Sequence, residues 1–282
     1  MAIAYAHEST ADQRRANRQH AVADRTVNCK VKRCDGPGKP SRWESFKVPV
    51  EPGMNVIACL KYIAGHPITT DGKPTTPVVY DAGCLEEVCG ACTMVINGRA
   101  RQSCSCLIDE YAPREGDTIT LEPMSKFPVI RDLWVDRARL FHGLSRIKAW
   151  APIDGTYALG PGPKESPEIQ QDRYDMSECM SCGCCLEACP QFTIEPDESS
   201  WDDSFIGAHA ISQARLFNEH ATGKQLKGER LDELMNSGGV SDCGNAQNCV
   251  KVCPKGVPLT ESIATIGRQV TVHAIKQFFR GK

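Results

Sequence analysis

Twelve consecutive residues, Cys179-Met180-Ser181-Cys182-Gly183-Cys184-Cys185-Leu186-Glu187-Ala188-Cys189-Pro190, hold the densest chemistry in the chain. Their frame, Cys-x2-Cys-x2-Cys-x3-Cys-Pro, is a spacing that wraps a cubane iron–sulfur cluster. Three thiolates two residues apart curl a short loop round one cluster, and the fourth is thrown outward to another. Structural zinc and plainly buried thiols are the bland alternatives; four cysteines in this register before a proline weigh against both. The outward thiolate needs a partner run, and Cys243-Gly244-Asn245-Ala246-Gln247-Asn248-Cys249-Val250-Lys251-Val252-Cys253-Pro254 supplies one with a member missing, since Ala246 stands where a full copy would have cysteine. Exchanging the outer ligands assigns Cys179, Cys182, Cys185 and Cys253 to a 4Fe-4S cluster and leaves Cys189, Cys243 and Cys249 as a set of three. A cubane corner facing a methyl group has no thiolate to hold its iron, so a 3Fe-4S cluster is expected there. A labile fourth iron carrying water is the alternative.

A third site lies upstream. Cys84-Leu85-Glu86-Glu87-Val88-Cys89-Gly90-Ala91-Cys92 has the Cys-x4-Cys-x2-Cys spacing of a plant-type 2Fe-2S cluster. Cys104, beyond eleven intervening residues, fits the fourth place, with Cys106 as competitor. Gly90 suits a loop that must bring backbone N–H groups close to sulfide. Cys29 and Cys59 read as small core residues, Cys34 lies beside a turn, and Cys184 adjoins a ligand without fitting the register.

The chain as a whole supports this chemistry rather than another. Its 282 residues have room for two domains. With 33 basic against 35 acidic residues the net charge is −2, so no global field draws it to nucleic acid. Sixteen cysteines in a secreted chain would read as disulfides, but the cluster spacing points to a reduced, cytoplasmic setting. No apolar run approaches the ~18 residues of a membrane span. Residues 1–25 read as a polar arm, a solvated tail or a docking segment. Arg14-Arg15 lacks the apolar stretch a twin-arginine signal requires.

The positioning elements follow from periodicity. Val27–Arg33 and Trp43–Val50 alternate with period two on either side of a Gly/Pro turn, and Asn55–Ile63 puts Val56, Leu60 and Ile63 on one helical face. A short strand is expected at Val78-Val79-Tyr80, a hairpin at Met94-Val95-Ile96 turning on Asn97-Gly98, and a closing strand at Thr118–Leu121. Residues 26–127 thus suit the β-grasp sheet of plant-type ferredoxins. In residues 128–282, helices are expected over about 131–149, over a face running from Phe205 to Leu216, over Leu231–Met235 and over about 259–279, with a surface loop at 151–167. The fold class is α+β, a β-grasp ferredoxin domain followed by an all-α, bacterial-ferredoxin-like domain.

This order of cysteine sites closely resembles the iron–sulfur subunit of succinate dehydrogenase and fumarate reductase, the succinate:quinone oxidoreductases, over roughly residues 27–275, with cysteine at all eleven ligand positions. The resemblance implies that electrons come from a FAD-containing flavoprotein subunit, cross the 2Fe-2S, 4Fe-4S and 3Fe-4S centres in that order, and leave to quinone through a membrane anchor. Cys84, Cys89, Cys92 and Cys104 would face the flavoprotein; Cys189, Cys243 and Cys249 would face the membrane. Ubiquinone-reducing members have a tryptophan where this chain has Ile194, and often a histidine where it has Gly244. Together with the Cys84–Cys92 stretch and Arg215-Leu216-Phe217-Asn218, that implies the menaquinone branch, with haem b in the anchor and the chain held peripherally on the cytoplasmic face of the membrane. The chain has no flavin fingerprint, phosphate loop or acid–base motif, so it is expected to make no bonds by itself. A molybdenum-hydroxylase small subunit shares Cys-x4-Cys-Gly-x-Cys but lacks the Cys-Pro runs. A soluble ferredoxin-like carrier or a disulfide-reductase subunit shares the cubane run and is the remaining rival.

Overall fold

Alternation in Thr26–Arg33 (β1) turns Val27, Cys29, Val31 and Arg33 inward. Arg42–Pro49 (β2) pairs antiparallel with it, burying Phe46 and Val48. The computed structural model describes residues 25–152 and 164–280. All of the expected arm except Arg25, and most of the loop expected at 151–167, lie outside them.

Val56–Gly65 (α1) begins where the Asn55 side chain accepts the Ala58 N–H at 2.9 Å, and it packs Val56, Leu60 and Ile63 on the sheet. Thr93–Ile96 (β3) and Arg99–Gln102 (β4) form the expected hairpin. Asn97 (φ 48°) and Gly98 (φ 74°) both take the left-handed conformation that such a turn needs. After a single helical turn, Ile108–Tyr111 (α2), Thr118–Glu122 (β5) inserts between β1 and β3, parallel to the first and antiparallel to the second. The sheet order is β2-β1-β5-β3-β4, with α1 on one face: the β-grasp arrangement.

Two expectations fail here. Val78-Val79-Tyr80 is no strand; the Val79 N–H donates to Asp132 Oδ2 (3.0 Å), and its carbonyl accepts from Leu133 (3.0 Å). The helix expected from 131 begins later, because Val129–Arg131 (β6) and Trp134–Val135 (β7) form a hairpin first. Asp132 at its turn (φ 48°) is fully buried and pairs with the fully buried Arg33 at 2.8 Å. An unpaired ion there would be costly, and this pairing outweighs helical periodicity. Helix follows only over Ala138–Arg146 (α3).

The second domain is helical. Pro167–Ser177 (α4), capped by Ser166, was not expected. Cys184–Glu187 (α5) is one turn inside the cysteine run. Ala208–Glu219 (α6) starts three residues later than Phe205, since Gly207 at φ 89° lies against Leu186 and begins the helix. Lys227–Met235 (α7), Asn248–Val252 (α8) and Leu259–Arg280 (α9) complete it. Helices α6 and α9 pack together through Ser212–Ser262 (3.2 Å) and Asn218–Gln269 (3.0 Å). The buried Arg230 donates to the carbonyls of Gly223, Trp150 and Lys148, tying α7 to the segment after α3. No helix among the described residues is long and apolar enough to cross a membrane.

Candidate iron–sulfur centres

Each cysteine loop is bent by left-handed residues: Leu85, Glu87 and Gly90 in the first, Ser181 and Gly183 in the second, Asn245 and Gln247 in the third. Alternating left- and right-handed residues turn successive N–H groups toward one concavity, a nest suited to anionic groups and found at many iron–sulfur sites. In the first loop the donors are visible. Glu86 and Val88 donate to Cys84 Sγ at 3.4 and 3.2 Å, and Ala91 donates to Cys89 Sγ at 3.4 Å. The N–H of Glu86, then that of Val88, draws the half-exposed Cys84 thiol down to about 7.

The fold sorts the thiols by neighbour. Cys84 lies beside Cys89, and Cys92 beside Cys104, burial pushing Cys92 up to about 12. Cys106 is buried in the same core as Cys59, and burial pushes it up to about 12. The Asn55 amide holds the Cys104 carbonyl at 2.8 Å, so the cap of α1 also sets the backbone beside that thiol. In the second domain Cys179 has the thiols of Cys182 and Cys253 as neighbours, and Cys185 those of Cys182, Cys179 and Cys253. All four line one cavity. Burial raises Cys185 far above the ordinary thiol range and Cys179 to about 11. Cys249 is raised by burial too, and its neighbours are Cys189 and Cys243. The four-thiol and three-thiol groups are adjacent, since Cys185 also feels Cys249.

The donor set fits clusters. It is all thiol, its loops present nests, and thiols pushed up by burial need a cationic iron core to ionise at neutral pH. Among the described residues no three His, Cys, Asp or Glu side chains converge where a single metal ion would fit. Clusters require no such convergence of three side chains on one ion, because their thiolates are shared out over several irons, two per iron in a 2Fe-2S core and one per iron in the cubane type.

Several participants escaped sequence reasoning. The Gly90 carbonyl accepts from Arg137 and from Thr93, both at 2.8 Å. A Cβ on Gly90 would lie 2.8 Å from both Cys182 Cα and the Met180 carbonyl, so this glycine (φ 70°) serves the contact between the two domains, beyond the N–H approach expected of it. Gln102 spans the same junction, with Oε1 3.5 Å from Cys92 Sγ and Nε2 3.6 Å from Cys184 Sγ. Cys184 in turn is hydrogen-bonded to Cys182, which lowers the Cys182 thiol. His209 lines the four-thiol cavity. No spacing rule points to Gln102 or His209; of these residues only Gly90 was legible, and only for its N–H approach.

Comparison with known proteins bears on both domains. Residues 28–142 match the 2Fe-2S iron-sulfur cluster binding domain family, and residues 175–257 the 4Fe-4S dicluster domain family. The succinate dehydrogenase iron-sulfur subunit of Bacillus subtilis (strain 168) is 49% identical over 255 residues, covering 90% of this chain and 96% of that one. The fumarate reductase iron-sulfur subunit of Wolinella succinogenes is 27% identical over 230 residues, covering 81% and 89%. A chain in the structure of the Mycobacterium smegmatis Sdh1 complex in the apo form shares the fold, with a TM-score of 0.68 at 21% identity over 87% of this chain and 95% of that chain. Chance does not keep about half the residues identical along nine-tenths of a chain, and this protein therefore belongs to the iron–sulfur subunits of succinate dehydrogenase, the electron-transfer members of an oxidoreductase complex.

Proposed function

We propose that the chain conducts electrons from a FAD-containing flavoprotein subunit, where succinate becomes fumarate, to a membrane anchor and onward to quinone. In this reading Cys84, Cys89, Cys92 and Cys104 hold the 2Fe-2S cluster, and Cys179, Cys182, Cys185 and Cys253 the 4Fe-4S cluster. Cys189, Cys243 and Cys249 hold the 3Fe-4S cluster. The sorting of these thiols into three neighbourhoods supports it best: Cys104 beside Cys92, Cys253 with the Cys179 loop, and Cys189 with Cys249. When bound, the clusters supply centres that take up and release single electrons. The protein supplies the rest. Its loop N–H groups face sulfur, its packing buries Cys182 and Cys185 of the second site and Cys249 of the third, and Arg137 with Gly90 fixes the first site against the second.

The ends of the chain's electron path differ in surface. Leu85 and Val88 are exposed at the first loop, an apolar rim that suits burial under the flavoprotein. Val272, Ile275 and Phe279 are exposed on the last turns of α9 beside Lys276 and Arg280, a surface that suits the anchor at the cytoplasmic face of the membrane. Ile194, 60% exposed, and Gly244, whose Cα faces the Gln191 amide, offer a quinone headgroup no aromatic or imidazole partner. That supports a menaquinone enzyme whose haem b-bearing anchor carries electrons onward. Fumarate reduction runs the same wiring in reverse, as the name of the Wolinella relative illustrates.

Purifying the complex with its partners, with iron analysis, electron paramagnetic resonance (EPR) and identification of flavin, haem and quinone, tests the whole reading. A quinone headgroup packed on Ile194 and Gly244 would overturn the menaquinone assignment. Ala246→Cys tests the third site: a fourth thiolate there is expected to replace the three-iron signal by a four-iron centre of lower potential. An unchanged three-iron signal would overturn the ligand argument.

A further inference from the structure

His209 is the second residue of α6, only 2% exposed, and neither of its ring nitrogens has a hydrogen-bond partner. Among the described residues it is the only side chain whose polar atoms are all buried and unpaired; the other orphaned atoms are single Nε atoms of Arg25, Arg101 and Arg131. A buried donor left without an acceptor forfeits the hydrogen bond it had with water, so such an atom calls for a partner. The residues around it on the helix, Ala208, Ala210 and Ile211, are apolar and buried, so packing alone would take an apolar side chain here. Burial disfavours the charged imidazolium, and a neutral ring has one N–H to give.

The same ring lines the cavity onto which Cys179, Cys182, Cys185 and Cys253 open. We propose that His209 donates its ring N–H to a sulfur, thiolate or sulfide, of the centre held by these four cysteines and thereby raises the reduction potential of that centre. An anionic sulfur on the cavity side selects the tautomer with the proton toward the cavity. Reduction adds negative charge to the centre, and a fixed donor stabilises the reduced form more than the oxidised one. The sequence spacing, which identifies thiols alone, is silent on this residue. The proposal rests on the assignment of the four cysteines given above.

The test uses the purified complex with its histidines labelled with 15N. Pulsed EPR of the reduced four-iron centre is expected to show a 15N coupling and an exchangeable proton that disappears in D2O, both lost in His209→Leu. At an electrode poise where the wild-type centre is half reduced, His209→Leu is expected to lower the ratio of reduced to oxidised centre about tenfold, ~59 mV for one electron. His209→Gln, which keeps an N–H donor, is expected to restore much of that ratio. A wild-type centre without histidine coupling, or a His209→Leu centre with unchanged potential, overturns the proposal. Should His209→Leu fail to assemble, the labelled wild type alone decides. A wild-type complex with no four-iron signal at all overturns the cysteine assignment, and the proposal with it.

Discussion

Cys84 sits half-exposed in a loop whose N–H groups point at its sulfur, whereas Cys185 is buried with three other thiols around it. In the first loop the backbone has already stabilised negative charge before any iron arrives, and the thiol is drawn down to about 7. In the cavity, burial holds Cys185 protonated, and only the positive charge of iron can ionise it. The contrast follows from position. A site at the surface has water to compete with and compensates with directed dipoles. An interior site excludes water, so cluster and fold are thermodynamically coupled there.

If that contrast is right, removing ligands should hurt unequally. Cys185→Ala is expected to abolish the four-iron signal and lower the melting temperature of the complex's iron–sulfur subunit on the order of 10 °C, equivalent to roughly 3–4 kcal/mol. Cys89→Ala is expected to abolish the two-iron signal with a much smaller thermal shift. EPR with calorimetry measures both, and equal thermal shifts would break the comparison. A smaller effect is expected at the junction of the two sites. Gly90→Ala forces a side chain into φ 70° against the Cys182 backbone, at about 1–2 kcal/mol for the conformation and more for the contact. Thermal unfolding is expected to separate into two transitions, and a single unshifted one would show that the domains do not lean on this contact. The finest probe leaves the sequence intact. In the iron-free chain, iodoacetamide labelling of Cys84 is expected to rise with pH through about 7 and then level off, while Cys92 and Cys106, both held near 12 by burial, stay unlabelled below about pH 10. Mass spectrometry of the labelled peptides reads this directly.

What could be read beforehand depended on whether a residue acts through its neighbours in sequence or in space. The alternation in β1 and β2 and the Asn97-Gly98 turn are local, and they hold in the fold. The cysteine frames are local too, which is why three groups could be proposed from spacing, and the thiol neighbourhoods in the fold support that grouping. The non-local contacts were not. Val79 gives its N–H to Asp132, so an apolar triplet that reads as a strand becomes a tether. Helix α4 lacks an apolar face, and only Ser166-Pro167 announced it. Leu85, Glu87, Ser181 and Gln247 take left-handed backbones that their side chains disfavour, a choice imposed by the loop they curl. His209 has no motif at all; only its burial gives it meaning.

Asp132 has a practical consequence for anyone cutting this chain into pieces. Its carboxylate is shared among the guanidinium of Arg33 and the N–H groups of Cys34 and Val79, all of which belong to the β-grasp half. A fragment stopped at Phe127 would keep Arg33 in the interior with Glu44 as its only remaining carboxylate and would strand two amides. An autonomous ferredoxin module excised for expression should therefore run through the β6–β7 hairpin, to about residue 136.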